Sequence, residues 1–554
     1  SAVGGSNGRR GEIGARIEGV SARAPSWAGR IEGNLSRAAS LSAPDYVLGN
    51  TGSAEWNLGA AVRRTSDRGT FDLTWHRYDF TGGVCWCQGA ETAADFVARL
   101  DDPIPVGAEA WTPSYGIERA NQEVSHDSVV ARARLGARAP LTVTWAFQDD
   151  HRREYDRVRE SITGPQYDFL LLSHAVEVAR EHAEVELPHG ALTGSMGAQG
   201  LLQDNVYRGL PLVPNFRAYG FGAFALERYT TPRAALELGA RYDHLSRVAY
   251  LTEDAYDRNA SRGTLGPDDC EVTDVSARCP AHYDTASVSM GGVWRAGPAL
   301  EARIDLSTAS RFPTADELYL NGSAPTSPVY ALGDPSLGVE TTAGASPTVA
   351  VALGPWTAEG SAWANVIDDF VYFAPTLDPS GRPQIDVTIR GAYPEWSFRP
   401  IDALFYGVDG GTELGADAVL GLALSGSIVR GTDRTTGGGL VMVPADRLRA
   451  VATARPHLRG VDAPYVSAEL TAVARAANPG IDLAPPPDGY VLLGASAGAR
   501  FEGRRAAVRV GVQVTNLLDA AYRDYTSLLR YSADEPGRDV VVRVAIEPNN
   551  WRSR

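Results

Sequence analysis

The stretch Val508-Arg-Val-Gly-Val-Gln-Val-Thr515 alternates aliphatic residues with polar or small ones, and Val540-Val-Val-Arg-Val-Ala-Ile546 repeats the alternation near the end of the chain. A period of two residues is typical of a β-strand with one apolar face and one polar face. The apolar face would carry Val508, Val510, Val512, Val540 and Val542, and the polar face Arg509, Gln513 and Arg543. We therefore predict that the chain ends in two strands whose faces have different surroundings.

The same alternation recurs along the chain. Residues 55–64 and 70–80 form a predicted hairpin across the turn at 66–69, and 125–135 pairs with 141–150 in the same way. Further strands place Leu236, Leu238 and Ala240 on the apolar face, with Arg303 and Asp305 on the polar face. Such segments number roughly 21, separated by predicted loops that include 81–121, 251–282 and 374–409.

Composition restricts the fold class. The chain has 554 residues, of which 44% are hydrophobic, yet no apolar run approaches the roughly 18 residues of a membrane helix. Burying the row of Arg303 and Asp305 in a soluble core would be costly, whereas lining a water-filled lumen with it costs little. A closed barrel also satisfies every backbone group in lipid. The sequence predicts an all-β, transmembrane antiparallel barrel with an even strand number of about 22. The net charge of -15 excludes a nucleic-acid partner.

A first motif lies between the last two strands. It consists of Asn516-Leu-Leu-Asp519, then Tyr522, then Gly537-Arg538. This segment resembles the closing hairpin of TonB-dependent outer-membrane receptors, which carries an Asn-Leu-Phe-Asp-like motif, a Tyr and a Gly-Arg before the last strand; the residues that match are Asn516, Leu517, Asp519, Tyr522, Gly537 and Arg538. The family usually ends on an aromatic residue, whereas here three residues follow Trp551.

A second motif strengthens the resemblance. Ser310-Arg-Phe-Pro-Thr-Ala-Asp-Glu-Leu-Tyr319 and Leu332-Gly-Asp-Pro-Ser-Leu-Gly-Val-Glu340 are similar to two signatures of the same barrels. The matching positions are Arg311, Pro313, Glu317, Leu318, Asp334 and Pro335. The order and separation of these motifs extend the resemblance over residues 1–554, and the Arg311 segment looks closest to the zinc-uptake branch of the family.

The resemblance implies an active-transport receptor of the outer membrane that is not an enzyme and uses no cofactor. Its partners would be outer-membrane lipid, the TonB complex acting through a plug domain, and an extracellular metal ion or metal chelate such as a siderophore, haem or zinc. Two alternatives from other classes are a passive porin-like channel and a soluble β-rich protein that binds carbohydrate. Adjacent carboxylates such as Asp149-Asp150 and Asp368-Asp369 point to opposite faces of a strand, so they do not form a glycosidase pair.

The strand count raises a question about the start of the chain. If long loops face outward, the loop 81–121 follows an upward strand, and residues 11–19 become the second strand. We therefore expect the first strand and the plug to be missing from this chain. Ser1-Ala-Val-Gly-Gly5 is similar to the end of a family plug.

Three polar residues suggest a metal site. Alternation through consecutive strands puts His76, His126 and Asp150 on the lumen face, toward the extracellular half. Two imidazoles and a carboxylate suit zinc, with Glu154 or a water as the fourth ligand. Solvated lumen histidines are the competing interpretation.

The four cysteines lie in two predicted loops. Cys85 and Cys87 are separated by one residue, and an extended chain would hold their Cα atoms about 7 Å apart, too far for an easy bridge. Cys270 with Cys279 is the predicted disulfide, because oxidation is expected outside the cell. Pairing between the two loops and a soft-metal role for Cys85-Trp-Cys87 stay open.

Overall fold

The computed structural model describes residues 1–100, 102, 104–157 and 163–548; Trp551 lies outside them. The first strands are β1 (Ala2–Gly5), β2 (Gly11–Val20), β3 (Trp27–Ala38), β4 (Ser53–Ser66), β5 (Gly69–Gly83), β6 (Asn121–Leu135), β7 (Leu141–Tyr155), β8 (Tyr167–Glu181), β9 (Val185–Leu187), β10 (Gly190–Gly209), β11 (Asn215–Thr230), β12 (Ala234–Thr252), β13 (Glu271–Val272) and β14 (Ser276–Arg295). The others are β15 (Leu300–Arg311), β16 (Asn321–Gly322), β17 (Tyr330–Leu332), β18 (Glu340–Leu353), β19 (Trp356–Pro375), β20 (Ile385–Thr388), β21 (Gly391–Leu414), β22 (Leu420–Asp433), β23 (Arg447–Ala454), β24 (Asp462–Val473), β25 (Tyr490–Glu502), β26 (Ala506–Thr515) and β27 (Asp539–Pro548).

Helical segments are short and lie between strands. The α-helices are α1 (Ala93–Arg99), α2 (Glu253–Arg262) and α3 (Ala315–Tyr319), and the 3-10 turns are Asn7–Arg9, Trp86–Gln88, Ala108–Ala110 and Leu528–Tyr531. None of the helices within the described ranges is long and apolar enough to cross a membrane.

The strands form a closed antiparallel barrel of 22 strands, which leaves out the five short strands β9, β13, β16, β17 and β20. Closure depends on β1, where Ala2 lies opposite Val544 of β27 and opposite Ile13 of β2. The expectation that the first strand is missing is therefore wrong, because Ala2–Gly5 supplies that strand. Four residues are too few to show an alternating pattern, so this strand could not be predicted from periodicity.

The two faces of the wall follow the sequence prediction. Gln513 lies opposite Ser496, and the polar face continues through successive registers from β26 to Arg303 and Asp305 on β15. The apolar face is open to the surroundings, with Leu238 50% exposed and Val542 42% exposed. The polar face is the lumen face, because Arg247 on that face donates a hydrogen bond to Pro313 O, in a loop that crosses the barrel mouth.

One predicted boundary is wrong. The sequence predicts a loop at 374–409, whereas β21 occupies Gly391–Leu414 and a short turn follows at 415–419. Pro394 and Pro400 made the segment look like a loop. The first part of β21 rises above its neighbour β22, which pairs only with residues 403–414, so the proline at 394 interrupts no ladder with β22.

The two rims of the barrel differ. One rim has short turns such as 67–68, 296–299 and 354–355, and the other has the long loops 84–120, 253–275, 312–339 and 516–538. Because barrels of this kind carry short turns in the periplasm and long loops outside, the second rim is the extracellular mouth. A large apolar cluster also lies there, with Phe96 of α1, Val329, Trp396, Leu440 and Tyr531 contributed by different loops and strand ends.

Replacing lipid-facing Val510 by Arg is expected to reduce the free energy of unfolding by about 2 to 4 kcal/mol, since the apolar face meets hydrocarbon. Gln513→Arg on the lumen face of the same strand is the matched control, and we expect little change from it. Urea titration of the barrel refolded in phospholipid vesicles measures both. Equal costs for the two variants would contradict the assignment of faces.

Candidate functional site

The motif loop 312–339 is held on the wall by an arginine with two carboxylate partners. Arg311 Nη1 donates to Glu317 Oε2 at 2.9 Å, and Arg311 Nε and Nη2 donate to Glu340 at 3.0 and 2.9 Å. Glu340 also accepts a hydrogen bond from the backbone N of Val371 at 2.9 Å. The motif therefore joins four parts of the structure: the end of β15, helix α3, the start of β18 and the upper part of β19.

Helix α3 is short but well capped. The Thr314 hydroxyl accepts from Glu317 N while the Glu317 carboxylate accepts from Thr314 N, so two free backbone donors are satisfied. Leu318 is fully buried on the far side of the helix, beside Tyr319. Burial raises the pKa of Asp316 and of the Tyr319 hydroxyl.

The second half of this motif forms a tight turn under α3. Asp334 Oδ1 accepts from Ser336 N at 2.9 Å, and Asp334 N donates to Glu317 O at 2.8 Å. A side chain at Gly333 would lie 2.5 Å from Tyr319 N, so only glycine fits there. Pro335 follows Asp334 directly in this turn.

The closing motif also holds a loop in place, near the junction where β27 pairs with β1. The Asn516 side chain both donates to Ala520 O and accepts from Ala520 N, at 2.9 Å each. Asp519 Oδ1 accepts from Arg538 N at 2.7 Å, and Arg538 Nη1 donates to Leu517 O at 3.2 Å.

Two further motif residues complete this arrangement. A side chain at Gly537 would lie 2.6 Å from Asp519 Oδ1, so the close approach requires glycine. Tyr522 packs against Tyr490 with ring centroids 4.4 Å apart. The motif residues thus hold loops in place, and their side chains are occupied by these internal contacts.

Three loops meet at Arg390 above the lumen. Arg390 Nε lies 3.4 Å from Asp156 Oδ2, and Nη2 donates to Tyr167 OH at 3.0 Å and to Ser323 Oγ at 2.9 Å. The Arg390 and Asp156 side chains are only 10% and 4% exposed. Nearby, Thr326 donates to Glu154, which is fully buried and also pairs with Arg152. These contacts bring the loops after β7, β15 and β19 together.

A fourth segment reaches across the mouth. Residues 84–100 leave β5 and contact β21, the fifth and sixteenth strands of the barrel, which stand on opposite walls. Ala392 N donates to Ala90 O at 2.8 Å, and a side chain at Gly391 would lie 2.2 Å from that same oxygen. Segment 84–100 therefore covers part of the opening.

A second buried charge joins the last loops. Arg530 Nη2 lies 2.8 Å from Asp482 Oδ2, with both side chains 3% exposed, and Tyr531 OH also donates to Asp482. The guanidinium packs over the Tyr531 and Tyr525 rings, 4.2 and 5.1 Å from their centroids. Burial raises the pKa of the Tyr531 hydroxyl, so this group stays neutral and donates.

The residues predicted to bind metal lie on the lumen face as expected, but they do not assemble into a site. His126 lies opposite Asp150 across β6 and β7, whereas His76 lies opposite Ser128. Glu154, the proposed fourth ligand, is engaged by Thr326 and Arg152. Within the described ranges, no group of three or more His, Cys, Asp or Glu stands close enough to hold a metal ion. The reason that they do not converge is geometric. Successive side chains on one face of a strand lie two strand rises apart, so a shared face does not by itself bring side chains together.

Both pairs of cysteines are joined. The predicted disulfide between Cys270 and Cys279 is present, with Cα atoms 4.2 Å apart. Cys85 and Cys87 are also bonded, contrary to the estimate from an extended chain, because the 3-10 turn at Trp86–Gln88 shortens their Cα separation to 5.1 Å. Cross-loop pairing and thiolate ligation at Cys85 are thus ruled out in this oxidised form.

The residues that close the mouth were missed by sequence reasoning. Arg390, Asp156, Arg530 and Asp482 lie in or beside loops with no periodicity, and their partners are distant in the chain. A solitary Arg beside Tyr or Asp in a loop is too common to identify such a site.

Comparison with known proteins assigns the family. The family model described as "TonB dependent receptor-like, beta-barrel" matches residues 25–517, so the chain belongs to the TonB-dependent receptors. These receptors are transporters of the outer membrane and not enzymes. No curated protein matches the chain.

Several solved structures share the fold. The copper transporter OprC is 14% identical with a TM-score of 0.71, covering 99% of this chain and 79% of its own. The FrpB iron transporter from Neisseria meningitidis is 12% identical, with a TM-score of 0.69 and coverages of 99% and 80%. The siderophore receptor PirA from Acinetobacter baumannii is 12% identical, with a TM-score of 0.68 and coverages of 99% and 79%.

Removing the charge of Asp482 tests the buried pair. Asp482→Asn leaves Arg530 buried without its counter-charge, and we expect local stability of the loops to fall by about 3 to 5 kcal/mol. Asp488→Asn in the same loop is the matched control, because Asp488 is exposed and pairs loosely with Arg475 at 3.6 Å. Hydrogen exchange of the amides at 528–533 measures the opening. Unchanged protection in the Asp482 variant would contradict the proposed role.

Proposed function

We propose that this receptor imports a metal ion or a metal chelate through the barrel, driven by TonB. The observation that carries the proposal is the closed, loop-covered barrel with a polar lumen, in a chain of this family. Structural neighbours named for copper, iron and siderophore transport agree with a metal cargo. Within that proposal, the Arg311 to Leu318 segment favours zinc as the particular metal.

A plug domain completes the proposed mechanism. The lumen wall carries paired charges, such as Arg303 with Glu359 at 3.3 Å and Arg449 with Glu469 at 2.7 Å. Exposed pairs of this kind contribute little to stability and are free to exchange partners. They therefore suit a polar domain that sits in the lumen and is displaced by TonB, while ligand enters from the loop-covered mouth.

Uptake by cells that carry the full-length protein tests the transport proposal. We expect saturable accumulation of one metal or chelate class, and its loss when TonB is deleted or when a protonophore removes the proton gradient. Cells with the empty vector are the control, and elemental analysis measures the accumulated metal. Influx that persists without TonB would instead identify a passive pore.

Competition identifies the cargo. Cells are offered zinc, copper, a ferric siderophore and haem separately and then together, and the preferred cargo suppresses uptake of the others. We expect zinc to prevail. Preference for another metal or chelate would contradict the zinc assignment and leave the transport class intact.

A further inference from the structure

One hairpin connects the loops that cover the mouth. Residues 385–395, which we name the mouth hairpin, comprise β20 and the start of β21. Its turn carries Arg390, which joins the loops after β7 and β15, and Ala392 on its edge bonds to Ala90 of the segment from the opposite wall. Movement of this hairpin would therefore loosen several loops at once.

The base of the mouth hairpin holds a buried carboxyl group. Glu395 is 6% exposed, and one carboxylate oxygen accepts from Gln384 Nε2 at 3.1 Å. Its backbone N donates to Gln384 O at 2.9 Å, and its carbonyl O accepts from Thr376 N at 2.9 Å. Tyr330 of β17 lies beside it in the parallel ladder. The carboxyl group is thus buried where three segments meet, and moving it into solvent would break its hydrogen bond with Gln384.

A second carboxyl group contacts the first. Asp386 of β20 lies opposite Tyr393, so it is a diagonal neighbour of Glu395 on the same face of the hairpin, and its Oδ2 atom is shielded from solvent with no hydrogen-bond partner found among the described residues. Two ionised carboxylates can only accept hydrogen bonds and repel each other, so this arrangement favours a proton on the buried Glu395. The docked hairpin is therefore the form that holds this proton.

Few charges offset the pair. Arg262, at the end of α2, is one basic group that acts on Glu395, while Gln384 and Thr376 contribute neutral hydrogen bonds. Helix α1 also packs on this hairpin, and its Arg99 has Asp95 and Glu91 as acidic neighbours. Ionisation of Glu395 would thus place a negative charge in a buried position beside another carboxyl group.

We propose that Glu395, beside Asp386, forms a proton-dependent lock, which keeps the mouth hairpin docked while Glu395 is protonated and releases it when Glu395 ionises. Release frees Arg390 from the loops after β7 and β15, and frees Ala392 from segment 84–100. The covered mouth then opens to ligand. The proposal assigns the pair a regulatory role at the entry route.

The direction of the pH dependence follows from linkage. Burial and then Asp386 raise the pKa of Glu395 from 4.5 to about 7 in the docked hairpin, which lies in the part of β21 above β22. In a released hairpin the group returns to its ordinary pKa, so the docked form binds the proton more tightly. Docking is then most stable at low pH, weakens as pH rises from about 4.5 to about 7, and changes no further above that. The expected change in the docking equilibrium is about 100-fold.

Hydrogen exchange of the full-length protein in detergent micelles tests this lock. Opening constants of the amides at 385–395 are measured at about pH 5 and about pH 8 after correction for intrinsic exchange, with the β26 and β27 ladder as reference. We expect about a 100-fold increase in the hairpin and no change in the reference. The proposal rests on the proposed entry route, but exchange needs neither ligand nor TonB, so a failed uptake assay and a failed lock are distinguishable.

Matched variants complete the test. Glu395→Gln keeps the hydrogen bond without ionising, and we expect it to stay docked at both pH values. Asp378→Asn in the same loop is the control, because Ser380 and the Arg382 backbone hold the pKa of Asp378 at about 2, so it stays charged throughout and its loss should spare the pH response. If the Glu395 variant does not form a barrel, Asp386→Asn provides the same test. An unchanged opening constant in the wild type, or a full response in the lock variants, would overturn the proposal.

Discussion

Pairing of backbone groups in lipid is the constraint on which this structure depends. Hydrocarbon supplies no hydrogen-bond partner, so each strand needs a neighbour on both sides and the sheet must close. The closure is made by the four residues of β1, between β2 and β27. Polar contacts support this seam, since Asp539 accepts from Asn7 N at 2.9 Å and Gly537 N donates to Ser42 O at 2.8 Å.

The lumen of the closed barrel is polar, so the buried apolar core forms outside the lumen. A soluble protein buries its aliphatic side chains inside, but here the aliphatic face of the wall meets lipid. The buried apolar residues gather instead where the loops meet above the lumen, around Trp396 and Leu318. The mouth thus behaves as a small folded layer on top of the barrel, with its own core and its own buried charges.

Buried charges give this layer the capacity to change state. Each pair, such as Arg390 with Asp156 or Arg530 with Asp482, is stable while intact but costly once one partner is lost. Packed contacts of this kind give the loops two distinct arrangements, with the pairs intact or broken, and few intermediate ones. The carboxyl pair of Glu395 and Asp386 differs from them, because a proton takes the place of the counter-charge. The mouth hairpin is therefore the element of this layer most sensitive to its surroundings.

Much of the wall was predictable from the sequence. Alternation at Val508 to Val514 and at Leu236 to Ala240 correctly assigned the two faces, because every second side chain of a strand points to the same side of the sheet. Motifs around Arg311 and Asn516 identified the family, since tight turns and capped helices require particular residues at particular positions. The disulfide between Cys270 and Cys279 followed from their presence in one loop.

Contacts between distant segments required the tertiary structure. The short strand β1 has no readable period, and Pro394 hid the start of β21. His76, His126 and Asp150 share a face, as predicted, but facing the same way does not make side chains converge, and their spacing along the wall depends on strand register. The sequence by itself determined the barrel, its two faces and its family, because these depend on local pattern. Tertiary structure alone decided how the loops cover the mouth and which buried charges meet there, because those contacts join residues far apart in the chain.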